Sequence, residues 1–292
     1  LESIIVSGLG ETVSKEQVRQ FYDQVGWQLV GECCYQNARY EDLRPVSREY
    51  IHRCHMRVSR HLKPVGRFLL DAGSGPIQYP EYLEYSRDYQ YRVCADISIV
   101  ALQEARKRIG DHGLFVVSDV AYLPFKRDAF EGLVSLHTIH HLAKGEHAQA
   151  FCEIYRVLAP SSSAVVVNGW QRSTLMQAFK PLIRFMAWLL AVYRKLTGRE
   201  AAEAERPARE PVAPQSTFTA RPDPLWLERE VASRMPIEIY VWRSLSTLFL
   251  RTLVHRRLGG QQFLRLAYVL EERYPQFFGR YGEYPLVVIR KA

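Results

Sequence analysis

Arg67-Phe-Leu-Leu-Asp-Ala-Gly-Ser-Gly-Pro76 is the stretch on which the reading of this chain turns. Phe68 to Leu70 is a short apolar run that closes on Asp71 and breaks into Gly73-Ser74-Gly75. A run of that kind, bounded by glycines, is a buried strand delivering the chain into a tight turn. Glycine there lets the backbone approach a ligand, because no Cβ stands in the way. Asp71 would repel a pyrophosphate and suits a cationic group. The turn therefore points to a ligand whose near end carries an ammonium, as S-adenosylmethionine does. A nicotinamide fingerprint needs a third spaced glycine, which Gly73-Ser-Gly75 lacks.

Outward from this turn, residues 67–168 alternate strand and helix. Strands are expected at 67–71, 91–95, 114–118, 132–136 and 163–168, with helical stretches at 79–87, 98–109 and 145–158. Such alternation predicts a parallel, doubly wound α/β sheet, whose ligands sit beyond the carboxyl ends of the strands. The residues just after each strand line up. Asp71, Ala72, Gly73, Ser74 and Gly75 follow the first, and Asp96-Ile97 follows the second. Ser118-Asp119-Val120 follows the third, and His137-Thr-Ile-His-His-Leu142 follows the fourth. Asp96 is placed to accept hydrogen bonds from vicinal ribose hydroxyls, and Asp119 to accept one from an adenine amino group beside the apolar Val120.

Upstream, Ser14 caps a helical pattern with Val18, Phe21 and Tyr22 on one face, and residues 46–62 form a second amphipathic helix. Residues 1–66 thus read as a helical cover, and 67–170 as the ligand-binding core. Five cysteines, Cys33, Cys34, Cys54, Cys94 and Cys152, are odd in number and lack metal-site spacing. With no secretory leader in view, a reduced, cytoplasmic setting and no metal are expected. The vicinal Cys33-Cys34 pair reads as buried small hydrophobes in preference to a redox pair.

The net charge of +8 is concentrated downstream, where residues 171–270 hold 16 Lys and Arg against 8 Asp and Glu. Residues 171–199 contain Arg172, Lys180, Arg184, Arg194, Lys195 and Arg199 with no acid. Phe185 to Tyr193 within them is an unbroken apolar run, too short to span a bilayer, which takes about 20 residues. This helix is either a lid packed over the substrate pocket or a peripheral membrane contact. Residues 200–224 carry five prolines among Ala, Glu and Arg and read as a mobile linker. Residues 171–236 are therefore an inserted lid helix and linker. Residues 237–292 hold two final strands, Ile237–Trp242 and Pro285–Arg290, with a helical insertion between them.

Together, Leu69-Leu-Asp-Ala-Gly-Ser-Gly, Ala95-Asp-Ile, Asp119-Val-Ala-Tyr-Leu-Pro-Phe125, His140-His-Leu142 and Ile154-Tyr-Arg-Val-Leu-Ala-Pro160 resemble the class I S-adenosylmethionine-dependent methyltransferases. They are most similar to the small-molecule and lipid-quinone branch. The resemblance covers about a third of the chain. It implies a Rossmann-like, seven-stranded, mostly parallel sheet with an antiparallel final pair, a helical N-terminal cover and an inserted helical substrate cap. It places Gly73 and Gly75 under the methionine moiety, Asp96 on the ribose and Asp119 at the adenine, with Tyr22 closing over the cofactor. Ile77 and Ser161 stand where many members have glycine, and Glu131 where an Asp is usual.

The activity implied is methyl transfer to a lipophilic or aromatic small molecule by in-line displacement. His137, His140 and His141 form the histidine cluster at the right strand end. His137 is grouped with the cofactor, and His140 or His141 is the candidate general base, each weighed against a purely structural histidine. Glu153 and Arg156 read as a scaffold pair. The basic segment raises an RNA methyltransferase as an alternative, but the Asn-Pro-Pro-Tyr and Pro-Cys signatures of nucleobase enzymes are missing. A cofactor-binding module without methyl transfer is the other alternative.

Overall fold

In the computed structural model, which describes residues 15–16, 18–23, 41–196 and 219–292, the glycine turn lies at the carboxyl edge of a seven-stranded sheet. The strands are β1 (Gly66–Ala72), β2 (Tyr89–Asp96), β3 (Gly113–Val117), β4 (Phe130–Leu136), β5 (Leu158–Val167), β6 (Ile237–Arg243) and β7 (Tyr284–Lys291). Their order is β3-β2-β1-β4-β5-β7-β6, with β7 antiparallel to both of its neighbours and the remaining pairs parallel. The strand order reverses between β1 and β4, which opens a crevice at their carboxyl ends. The turn after β1 therefore opens on that crevice.

Side-chain alternation explains the two layers that flank the sheet. Leu70, Ala72, Val93, Ala95, Leu133 and Val166 face one side, where Phe151 and Ile154 of α3 (His147–Val157) cover them. Leu69, Cys94, Val134, Val165 and Val167 face the other, under Leu102 and Ala105 of α2 (Ile99–Ile109). Ser98 caps α2 by accepting the Ala101 N–H, which starts the helix directly behind Asp96. A third cluster joins α1 (Pro45–His55), α4 (Thr174–Leu196), α5 (Thr247–Leu253) and α6 (Gly260–Arg273) beside the sheet.

The expected strands all form. The helix expected over 79–87 shrinks to a single turn, Glu81–Glu84, because Tyr82 and Tyr85 bury beneath the sheet edge and the chain must reach β2 at Tyr89. The helix expected over 46–62 ends as α1 at His55, followed by a 3₁₀ turn at Val58–His61. A helix not anticipated, α7 (Pro275–Tyr281), starts on a proline at its first position and packs on β6. Most of the expected linker and the Cys33-Cys34 pair lie outside the described residues. The end of that linker is ordered: Asp223 caps a helical turn at Pro224–Leu227 by accepting the Trp226 N–H. Cys54 and Cys94 are buried and Cys152 is half-buried, and all three are free thiols.

Candidate active site

The turn after β1 is held by the neighbouring strand, since the Gly73 and Ser74 N–H groups both donate to the Ala95 carbonyl, at 2.7 and 3.2 Å. Gly73 has φ +78°, and a Cβ there would stand 2.1 Å from Thr138. Only glycine fits, because the turn closes against Thr138 in the loop after β4. Two departures noted in the sequence keep the backbone that glycine would have adopted. Ile77 has φ +54° and Ser161 φ +55°, in the left-handed region that costs an L-residue of this kind about 1–2 kcal/mol.

Asp96 Oδ2 accepts the Gly75 N–H at 2.8 Å and Oδ1 accepts the Ser98 N–H at 2.9 Å, so this carboxylate ties the turn to the start of α2. Burial pushes its pKa up to about 6 against the pull of those two backbone bonds, with Asp71 and Asp23 adding like charge. Asp119 Oδ1 accepts the Ala121 N–H at 2.8 Å, and Oδ2 accepts from Lys15 Nζ at 2.7 Å. Glu153 and Arg156 hold the loop after Asp119. Glu153 accepts the Leu123 N–H at 2.9 Å, and Arg156 donates to the Leu123 and Phe125 carbonyls. They act as a scaffold for the Leu-Pro-Phe segment.

A cavity of about 700 Å³ runs along this edge, within the range of small-molecule sites. Gly73, Ser74, Gly75, Asp96, Ile97, Asp119 and Val120 line one end of it, with Tyr22 from the N-terminal segment. His137, His140 and His141 stand in the middle. Two predicted site residues are not there. Asp71 was expected to meet the ammonium, but strand alternation turns it onto the Leu69 and Cys94 face. There it accepts from Arg92 Nε at 3.1 Å and from Nη2, and it does not line the cavity. Ala72 points into the core on the opposite face. The cavity also corrects the lid expectation, because no described residue of α4 lines it. Met176, Phe179 and Ile183 of α4 pack outside it, on α5.

The far wall comes from residues the sequence did not single out. Glu41, Arg243, Arg221, Glu283, Tyr284 and Arg251 line it, with Tyr79 and Tyr82 beside them. Glu41 and Arg243 form a buried ion pair across 202 positions of sequence. Burial works against the Glu41 carboxylate, but Arg243 and His55 hold its pKa down to about 2. Arg243 Nε has no hydrogen-bond partner among the described residues. Glu283 lies 3.7 Å from Arg221, and burial raises its pKa above the usual carboxylate range. A charge at the end of an apolar strand, Arg243 after Ile237–Trp242, is the one local signal that could have marked this wall.

The three histidines differ. His137 leaves β4 with φ +56° and packs edge-on against Trp242 and Tyr284, at 5.0 and 5.6 Å between ring centres. Burial takes its pKa down to about 3, so it is a neutral, fixed ring. His140 Nδ1 lies 3.1 Å from Asn168 Oδ1, which assigns the proton to Nδ1 and a free lone pair to Nε2. Burial, then the neighbouring His141, hold His140 well below the ordinary histidine range. His141 Nε2 is 2.7 Å from the Tyr22 hydroxyl, which joins the N-terminal segment to the middle of the cavity. No group of three or more His, Cys, Asp or Glu among the described residues is placed to hold a metal.

A family of methyltransferase domains matches residues 70–166, the segment that carries the turn, Asp96, Asp119 and the histidines. Two solved structures superpose over nearly the whole chain. The [4+2]-cyclase SpnF has TM-score 0.52 and 17% identity, covering 95% of this chain and 97% of its own. The geranyl diphosphate C-methyltransferase of Streptomyces coelicolor A3(2) has TM-score 0.52 and 13% identity, covering 96% and 98%. No curated protein matches the sequence. Residues 70–166 are a methyltransferase domain, on a class I methyltransferase fold. S-adenosylmethionine is the cofactor that the turn and the strand-end acids imply for such a domain. The site fits that cofactor on its own terms, with a turn no Cβ could occupy and two carboxylates, Asp96 and Asp119, on the same cavity.

Proposed function

We propose that this protein methylates a lipophilic or aromatic small molecule, held between the histidines and the far wall of the cavity. One observation carries the reading: a single cavity joins the glycine turn and its carboxylates to an acceptor space lined by Tyr79, Tyr82 and Tyr284 beside the paired charges of the far wall. Gly73 to Gly75, Asp96 and Asp119 would hold the cofactor, with Ile97 and Val120 against its apolar parts and Tyr22 above. When bound, the cofactor supplies a methyl on a sulfonium, already activated for in-line displacement.

The protein is left mainly to position the reactants, which supplies about 7–11 kcal/mol of rate acceleration. Tyr79, Tyr82, Tyr284 and the fixed His137 ring give the acceptor space its aromatic lining. His140 serves as the general base for a hydroxyl or amine acceptor. Its Nε2 lone pair is unprotonated at neutral pH, and the Asn168 bond fixes its tautomer. His141, joined to Tyr22, positions that segment over the site.

Incubation with S-adenosylmethionine and a panel of phenolic and isoprenoid acceptors, read by mass spectrometry, tests the reading. A product one methylene heavier supports it; cofactor binding with no acceptor methylated contradicts it. In the productive pair, His140→Ala lowers kcat by about 10²–10⁴ while cofactor affinity holds, the range of a lost general base. An unchanged kcat would return His140 to a structural role.

A further inference from the structure

Among the described residues, α4 carries an exposed apolar face opposite the one it packs. Its inner face, Met176, Phe179 and Ile183, is packed on α5, with the Phe179 and Phe249 rings 5.3 Å apart. Its outer face is open. Phe185 is 54% and Trp188 59% exposed, with Leu182 and Leu189 exposed beside them. The Phe185 and Trp188 rings stack 6.1 Å apart, 28° from parallel, and so present one continuous slab. Arg172, Lys180 and Arg184 are exposed along the same segment, and no acid occurs from 171 to 199.

We propose that the outer face of α4 docks on an anionic lipid bilayer. A helix with an apolar slab, an aromatic pair and basic flanks is suited to the plane of the membrane interface. No described helix is long and apolar enough to cross a bilayer, which leaves the surface-lying arrangement for this one. Charge also selects the occupant. Two copies meeting through this face would bring Lys180 and Arg184 against their own counterparts, a like-charge contact. Anionic headgroups neutralise the same residues.

The position of the face gives it a use. α5 touches α4 through Phe249 and Leu250, while its Thr247, Leu248 and Arg251 line the cavity. Leu248 is 62% exposed at that mouth. One helix thus separates the docking face from the acceptor space, and a lipophilic acceptor would reach the cavity from the bilayer. The docking itself rests on α4 alone and stands apart from the choice of acceptor.

The test uses the full chain, without cofactor, in cosedimentation with vesicles of phosphatidylcholine alone and with a third of it replaced by phosphatidylglycerol. The protein is expected to pellet with the anionic vesicles, to do so weakly with the neutral ones, and to be released by added salt. The double variant Phe185→Ser, Trp188→Ser should lose about tenfold or more in vesicle affinity, with its thermal midpoint and S-adenosylhomocysteine affinity unchanged. Lys180→Glu with Arg184→Glu should lose binding to the anionic vesicles specifically. Absence of binding to anionic vesicles overturns the proposal, as does a double variant that binds like the parent. So does sedimentation velocity showing a dimer that the double variant dissolves.

Discussion

At the glycine-turn end of the cavity, Gly73 to Gly75, Asp96 and Asp119 all lie at or just beyond the carboxyl ends of β1, β2 and β3. The opposite wall instead gathers Glu41, Arg221, Arg243 and Glu283 from separate stretches, linked by an ion pair spanning 202 positions. The first end is made by local geometry, because a parallel strand must release its chain at the sheet edge. The second is made by long-range packing, because α1, β6 and β7 have to come together before the wall exists. Chemistry shared by many methyltransferases can therefore be carried by short motifs, while the part that selects an acceptor is free to differ.

The contrast is broken most severely at Arg243. Arg243→Ala strands the Glu41 carboxylate in the interior, and removing one partner of a buried pair costs about 3–5 kcal/mol. Thermal unfolding should show that loss. A midpoint close to the parent's would mean that the far wall is not held by this pair.

A smaller effect separates the two ends by pH. Asp96 has its pKa raised to about 6, whereas Glu41 is held down to about 2, so of these two carboxylates only Asp96 titrates in the mildly acidic range. A ligand that needs the Asp96 carboxylate competes with its proton. S-adenosylhomocysteine affinity should be flat above about pH 6 and fall about tenfold for each unit below it. Affinity that stays level to pH 5 would dissociate Asp96 from binding. Glu41 behaves oppositely in sign. Its charged form is favoured in the fold, so its stabilisation is complete above the ordinary glutamate pKa and is lost only as the pH falls toward about 2.

Ser161→Gly is the mildest test. Ser161 is exposed with φ +55°, so glycine removes the strain of about 1–2 kcal/mol and gives back about 0.5–1 kcal/mol in unfolded-chain entropy. A small rise in the thermal midpoint is expected. A fall would show that the serine hydroxyl contributes more than the backbone loses.

The seven strands and the strand-end carboxylates that line the cavity were legible because each is a local pattern: an apolar run, then an acid or a glycine. Asp71 was misassigned because proximity to the turn was given more weight than side-chain alternation. Arg92, alone in the apolar Tyr91–Ala95 run, was the sign that a buried acid had to face it. The α4 helix was legible as amphipathic and basic, but what it packs against depends on α5, some sixty residues later. The far wall had almost no local sign, since Glu41, Arg221 and Glu283 are ordinary charged loop residues until the fold brings them together.

Calorimetric titration of S-adenosylhomocysteine into the parent, Asp96→Ala and Glu283→Gln tests most directly whether the strand-end carboxylates hold the cofactor. Asp96→Ala should weaken binding by about 2–5 kcal/mol, the loss expected for a buried, hydrogen-bonded charge, while Glu283→Gln binds like the parent. Equal affinity for the parent and Asp96→Ala, or a loss confined to Glu283→Gln, would put the cofactor at the other end of the cavity and contradict the account.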